Sequence, residues 1–183
     1  MGCFFQDWID GPISTSSMAS ALGGALGGVL REEAIFKQNG ITTIPSNLSY
    51  LEASTLPCAG LTAWHALVEL GRVKAGDTVL LLGTGGVSIF ALQFAVMHGA
   101  SPIITSSSDH KLEKAMNLGA MHAINYVDNP EWQEEVLALT GGEGVDHVVE
   151  VGGAGTLSRS IESTKVGGNI YLIGILANGE LNP

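Results

Sequence analysis

From residue 78 onward, short apolar runs alternate with segments of helical length, and no other feature of the chain restricts its fold so strongly. Residues 78–82 (TVLLL) form an almost unbroken apolar run, the pattern of a strand covered on both faces. Residues 102–105, 123–126, 145–151 and 169–175 are predicted as the next four strands. Residues 87–98, 109–118, 129–140 and 156–163 are predicted helices, with Gly99, Gly119 and Gly141 standing as stops after the first three. Asn129 is the expected cap of the third helix, with Pro130 as its first residue. Strands separated by helices predict an α/β fold, a doubly wound parallel sheet with right-handed crossovers. Such a sheet usually has a sixth strand, and here the sequence stops soon after the fifth.

The preceding residues read differently. Residues 1–45 are rich in Ser, Gly and aromatics, with short apolar bursts and no long helical period. Ser49 followed by Glu52 is a capping-box pair, so a helix is expected to start there. Pro57 interrupts it, and a second helix is expected over 59–70. The expected division is therefore 1–45 and 46–183.

Charge excludes whole classes of partner. Eight Lys and Arg against eighteen Asp and Glu leave a formal charge of −10. A chain that acidic repels nucleic-acid phosphates and anionic lipid, so neither nucleic acid nor membrane is an expected partner. Residues 13–30 carry no charge but include four serines and four glycines, a poor composition for a lipid-facing span. Cys3 and Cys58 make no disulfide framework and no CxxC, which fits a reducing, cytoplasmic compartment.

The stretch that carries chemistry is Gly83-Thr84-Gly85-Gly86-Val87-Ser88, between the first strand and its helix. Gly83 permits a tight turn, and Gly85 lets a pyrophosphate approach the backbone where a Cβ would hold it away. The N–H groups opening the helix then face the anion. Ser88 stands where GxGxxG has its third glycine, so the fingerprint is imperfect, although Ser is small enough for close helix–strand contact. The position that selects the cofactor follows about twenty residues on. An NAD site would place Asp or Glu at the end of the second strand, but the chain reads Thr105-Ser106-Ser107-Ser108-Asp109-His110-Lys111. Hydroxyls at Ser106 and Ser107 with the Lys111 cation suit a 2′-phosphate, so NADP(H) is expected over NAD(H). Asp109 lies a few residues too late for the ribose and suits the start of the next helix instead.

Residues 47–173 resemble the cofactor domain of the medium-chain dehydrogenase/reductase superfamily, which includes zinc alcohol dehydrogenases and zinc-free quinone-reductase-like and enoyl-reductase relatives. The matching words are LPCAGLTAW at 56–64, GTGGV at 83–87, KLE at 111–113 with LGA at 118–120, and DHVVE at 146–150. The resemblance implies a Rossmann domain, preceded in residues 1–45 by a remnant of a GroES-like β-barrel. It implies an oxidoreductase moving hydride between NADP(H) and a small molecule: a carbonyl or alcohol, a quinone or an activated alkene. Members of the superfamily are nearly twice as long, which implies a fragment lacking the last strand, and a non-catalytic cofactor-binding remnant is the alternative. A homodimer of the full-length form is also implied. The catalytic residues belong to the barrel and stay unassigned.

The same resemblance carries Thr62 over to the nicotinamide side. Val151, Gly152 and Gly174 fall on the crevice at the strand ends, where ligands bind in such sheets. Tyr126 reads equally as a cover for the adenine ribose phosphate and as a strand-end core aromatic. In zinc-dependent members a Cys at the place of Cys58 is a zinc ligand. Zinc catalysis needs about three protein ligands, and no cluster of Cys and His supplies them here, so zinc is not expected and Cys58 reads as a small buried apolar residue. His147 lies inside a predicted strand and reads as a core histidine.

Two other enzyme designs fail on the residues. A short-chain dehydrogenase would carry Tyr-x-x-x-Lys, but Ser54, Pro130 and Ile175 follow at that spacing. A methyltransferase would place an acid beside the glycine loop, where Leu81 and Leu82 stand.

Overall fold

The computed structural model describes residues 1–175 of the chain, which divide after Ala59 into two compact units. In the first unit, pairing among the described residues consists of isolated bridges, Gly2 to Ile41, Phe5 to Ala21 and Leu22 to Leu26. The capping box predicted at Ser49 is present. The Ser49 hydroxyl accepts from the Glu52 amide, and the Glu52 carboxylate accepts from the Ser49 amide at 2.8 Å. No helix among the described residues is long and apolar enough to cross a membrane.

The second unit is the predicted α/β sheet. Its strands are β1 (Thr78–Leu81), β2 (Ser101–Ser106), β3 (His122–Asn125), β4 (Val145–Glu150) and β5 (Thr164–Leu172), all parallel, in the order β3-β2-β1-β4-β5. The alternation of side chains along β1 explains its apolar run. Val79 and Leu81 enter one core with Ala91, Leu92, Ala95 and Ala115, while Leu80 and Leu82 enter the other with Ile103, Ile124, Trp132 and Val136. Helices Gly86–Met97 and Asp109–Asn117 cover the first face, and Trp132–Leu139 the second. The winding reverses between β1 and β4, which opens a crevice beyond their carboxyl ends.

Two expectations need correction. The third helix starts at Trp132, with Glu131 as its cap, instead of at Pro130. The Asn129 side chain does not cap it: its amide donates to the Glu135 carboxylate at 2.7 Å, and its backbone N–H closes a turn onto Asn125. Strand β5 begins at Thr164, five residues before the expected 169. The pairing jumps from Val145–Thr164 to His147–Asn169, so residues 165–168 bulge out of register, with Gly167 at φ +82°. A glycine pair in a polar stretch carries no strand signal, yet it is what such a bulge requires.

His147 is the core histidine expected. It is 4 % exposed, and both ring nitrogens are paired: Nε2 with the Asp77 carboxylate at 3.1 Å and Nδ1 with the Tyr171 hydroxyl at 2.8 Å.

Candidate nucleotide site at the strand ends

The β1 turn is built by three residues with different tasks. Gly83 has φ +69°, a conformation that a side-chain-bearing residue rarely adopts. Gly85, extended at φ −79° and ψ 177°, is the N-cap of the Gly86–Met97 helix and has no side chain with which to cap it. A Cβ built on Gly85 meets no protein atom within 4 Å, so packing inside the protein does not demand glycine there. The space in front of that bend is open. Amides at the start of a helix, here those of Gly86, Val87 and Ser88, have no partner within it and carry its positive end.

Ser88 supplies what the missing third glycine would. It is fully buried, and its Oγ donates to the Leu82 carbonyl at 2.6 Å, tying the helix to the strand it leaves. One amide of the loop is not free for a ligand: Gly83 N–H donates to Thr105 Oγ1 at 3.1 Å. Thr84 Oγ1 and Ser106 Oγ share a further bond at 3.2 Å. Ser106 is buried, and its hydroxyl faces the loop, whereas Ser107 and Lys111 are exposed. No carboxylate among the described residues pairs with Lys111. The Asp109 carboxylate is held by Asn125 Nδ2 at 2.7 Å, on the β3 residue that pairs with Ser106 at the end of β2.

A cleft of about 390 Å³ opens at the winding reversal. The ends of four strands line it through Leu82, Gly83, Thr105, Tyr126, Val151 and Gly152, and it continues past Trp132 and Thr156 to Arg159. Four of the residues singled out in the sequence, Gly83, Tyr126, Val151 and Gly152, therefore meet in one cavity. Tyr126 is 41 % exposed, so it is a wall of the cleft and not a core aromatic. Gly174 adjoins the same wall. Its N–H donates to the Glu150 carbonyl at 3.0 Å, and a Cβ there would collide with the Val151 backbone. Thr62 lies half-buried on the Leu61–Trp64 turn, which packs on the Gly86–Met97 helix, and it does not line the cleft.

One residue escaped the sequence reading. Glu150 ends β4 with no exposed surface. Its Oε1 accepts from the amides of Gly152 and Gly153 at 2.7 and 2.8 Å and from Thr156 Oγ1 at 2.7 Å. Its Oε2 accepts from Ser160 Oγ. The signal was an acid at the end of a largely apolar strand, one residue removed from Gly152-Gly153.

The residues present do not assemble a metal centre. Cys58 is exposed and not the buried apolar residue expected, and among the described residues no three His, Cys, Asp or Glu side chains gather as a metal site requires.

Known proteins share this arrangement. The sequence model of the zinc-binding dehydrogenase family matches residues 86–183, just over half of the chain. A zinc-type alcohol dehydrogenase-like protein of Schizosaccharomyces pombe is 46 % identical over 98 % of this chain and 53 % of its own length. The crystal structure of an alcohol dehydrogenase candidate from Sinorhizobium meliloti 1021 superposes with a TM-score of 0.90 at 45 % identity, over 99 % of this chain and 54 % of that one. An NAD-dependent alcohol dehydrogenase matches with a TM-score of 0.76 at 39 % identity, over 82 % of this chain and 44 % of that one. A mycobacterial protein solved with NADPH matches with a TM-score of 0.69 at 33 % identity, over 76 % and 43 %. The chain spans about half the length of these two relatives, the Schizosaccharomyces pombe protein and the Sinorhizobium meliloti structure. With a turn that leaves room for a diphosphate, a cleft at the winding reversal and a family model over half its residues, the chain belongs to the zinc-binding dehydrogenases of the medium-chain dehydrogenase/reductase superfamily.

Proposed function

We propose that this chain holds a nicotinamide dinucleotide, NADP(H) in preference to NAD(H), across its strand ends. It would do so for hydride transfer to or from a small carbonyl or alcohol, a quinone or an activated alkene. The observation that carries the reading is the bend at Gly85: open space, no capping side chain, and the amides of a twelve-residue helix directed at it. Those amides would receive the diphosphate. The cleft between Tyr126, Val151 and Gly152 would take the flat adenine base. Ser107 and Lys111, exposed beside the end of β2, would receive the 2′-phosphate. The bound nicotinamide supplies the hydride chemistry, and the protein's task is to bind, orient and exclude water. The match to a dehydrogenase family favours this reading over a non-catalytic remnant.

Fluorescence titration of the purified chain with NADPH and NADH tests it. NADPH is expected to bind more tightly, and Lys111→Ala to weaken NADPH by about tenfold, the loss of one charge-assisted bond, with NADH unchanged. NADH binding at least as tightly as NADPH would refute the preference. Binding of neither would refute the reading.

A further inference from the structure

We infer that Glu150 is a positioning residue for the nucleotide site, setting the shape of the cleft wall before any ligand arrives. The inference rests on the cofactor reading above. A buried carboxylate is costly, and no cation among the described residues pairs with this one. The core does not need it there, since β4 is otherwise covered by apolar packing on both faces. Instead it gathers donors from the segment that follows. Two amides come from the turn at Gly152 and Gly153, one hydroxyl from Thr156 ahead of the Leu157–Glu162 helix, and one from Ser160 inside it. Gly152 and Thr156 line the cleft, and Gly153 has φ +76°. A segment with glycines at 152, 153 and 155 would sample many conformations if untethered. The backbone carbonyl of Glu150 also accepts from Ile173 and Gly174 at 2.8 and 3.0 Å, which brings the end of β5 to the same point. One residue thus fixes the carboxyl ends of β4 and β5 and the wall between them. Fixing them in advance lowers the ordering cost that binding would otherwise incur.

The test compares NADPH affinity with stability in three variants of the full chain, each titrated at least 10 °C below its own melting temperature. Glu150→Gln keeps the shape but replaces one acceptor oxygen with a donor that faces donors. It should raise the Kd for NADPH about tenfold and speed amide exchange at Gly152 and Gly153. Ser160→Ala, which removes one of the four donors, should raise Kd about threefold. Asp77→Asn is the control for structure alone. It disturbs a buried carboxylate at the opposite end of β1, and should lower stability with Kd unchanged within twofold. A folded Glu150→Gln with wild-type affinity overturns the inference, as does an Asp77→Asn that weakens NADPH equally. Should Glu150→Gln fail to fold, Ser160→Ala decides, and unchanged affinity there overturns it. If the wild-type chain binds no NADPH, the cofactor reading itself falls and takes this inference with it.

Discussion

At the residue scale, the turn after β1 shows how a broken motif keeps its function. The third glycine of the fingerprint exists to bring helix and strand close, and Ser88 achieves that with a buried hydroxyl bonded to the Leu82 carbonyl. Ser88→Ala should therefore cost about 1 kcal/mol in urea unfolding, the usual loss for one buried hydrogen bond. A stability within about 0.3 kcal/mol of wild type would mean the bond contributes nothing. The strand-end places of Gly83, Gly85, Val151 and Gly152 were legible in the sequence because topology alone creates a crevice there, whereas Tyr126 read equally as a cleft wall and as a core aromatic. Ser106 was legible only in part. The hydroxyls after β2 were read as one cluster, but Ser106 turns inward to Thr84 while Ser107 stays exposed. Which way a hydroxyl turns depends on a partner twenty-two residues away in the chain, and local sequence does not carry that.

At the element scale, strands and helices were legible wherever a face is buried, because burial writes its period into the sequence. The beginnings of β5 and of the Trp132–Leu139 helix were not, since both are set by contacts that local propensity does not encode. At the amino ends of β1 and β4 the sheet carries a polar chain that runs inward from the exposed Lys74 ammonium: Lys74 to Asp77 at 2.6 Å, Asp77 to His147, and His147 to Tyr171. Burial raises the Asp77 carboxyl, but bonds from the Lys74 side chain, His147 and the Lys74 amide outweigh it and hold the group below its usual range. Asp146 behaves likewise. Burial opposes ionisation there, while the Lys165 ammonium and the Thr78 amide favour it more. A depressed native value means that stability is present above about pH 4, the unfolded range, and is lost as pH falls through the native values. Unfolding free energy should thus decline below pH 4, and less steeply in Asp77→Asn.

The Tyr171 hydroxyl moves the other way, pushed up to about 12 by burial first and by the Asp77 charge second. A raised native value keeps its stability below about pH 10 and loses it toward pH 12. Absorbance titration of the phenolate should show one of the three tyrosines ionising only near 12. All three ionising together near pH 10 in the folded protein would contradict the buried chain.

At the scale of the whole molecule, a formal charge of −10 sets a long-range field against any phosphate-bearing ligand, while the amides of the β1 turn and the Lys111 cation favour it locally. Screening shortens the reach of that field from about 30 Å at 10 mM salt to about 10 Å at 100 mM. The association rate of NADPH should consequently rise between those two salt concentrations in stopped-flow fluorescence. A fall would show that local attraction dominates even at long range.

The decisive measurement is NADPH affinity in Gly85→Val. A Cβ at this position meets no protein atom within 4 Å, so the melting temperature should fall by no more than about 4 °C, the cost of a poorer cap. Affinity should drop at least thirtyfold, because that space is where the diphosphate would rest. A folded Gly85→Val that binds NADPH as tightly as the wild-type chain would place the ligand elsewhere and contradict the account.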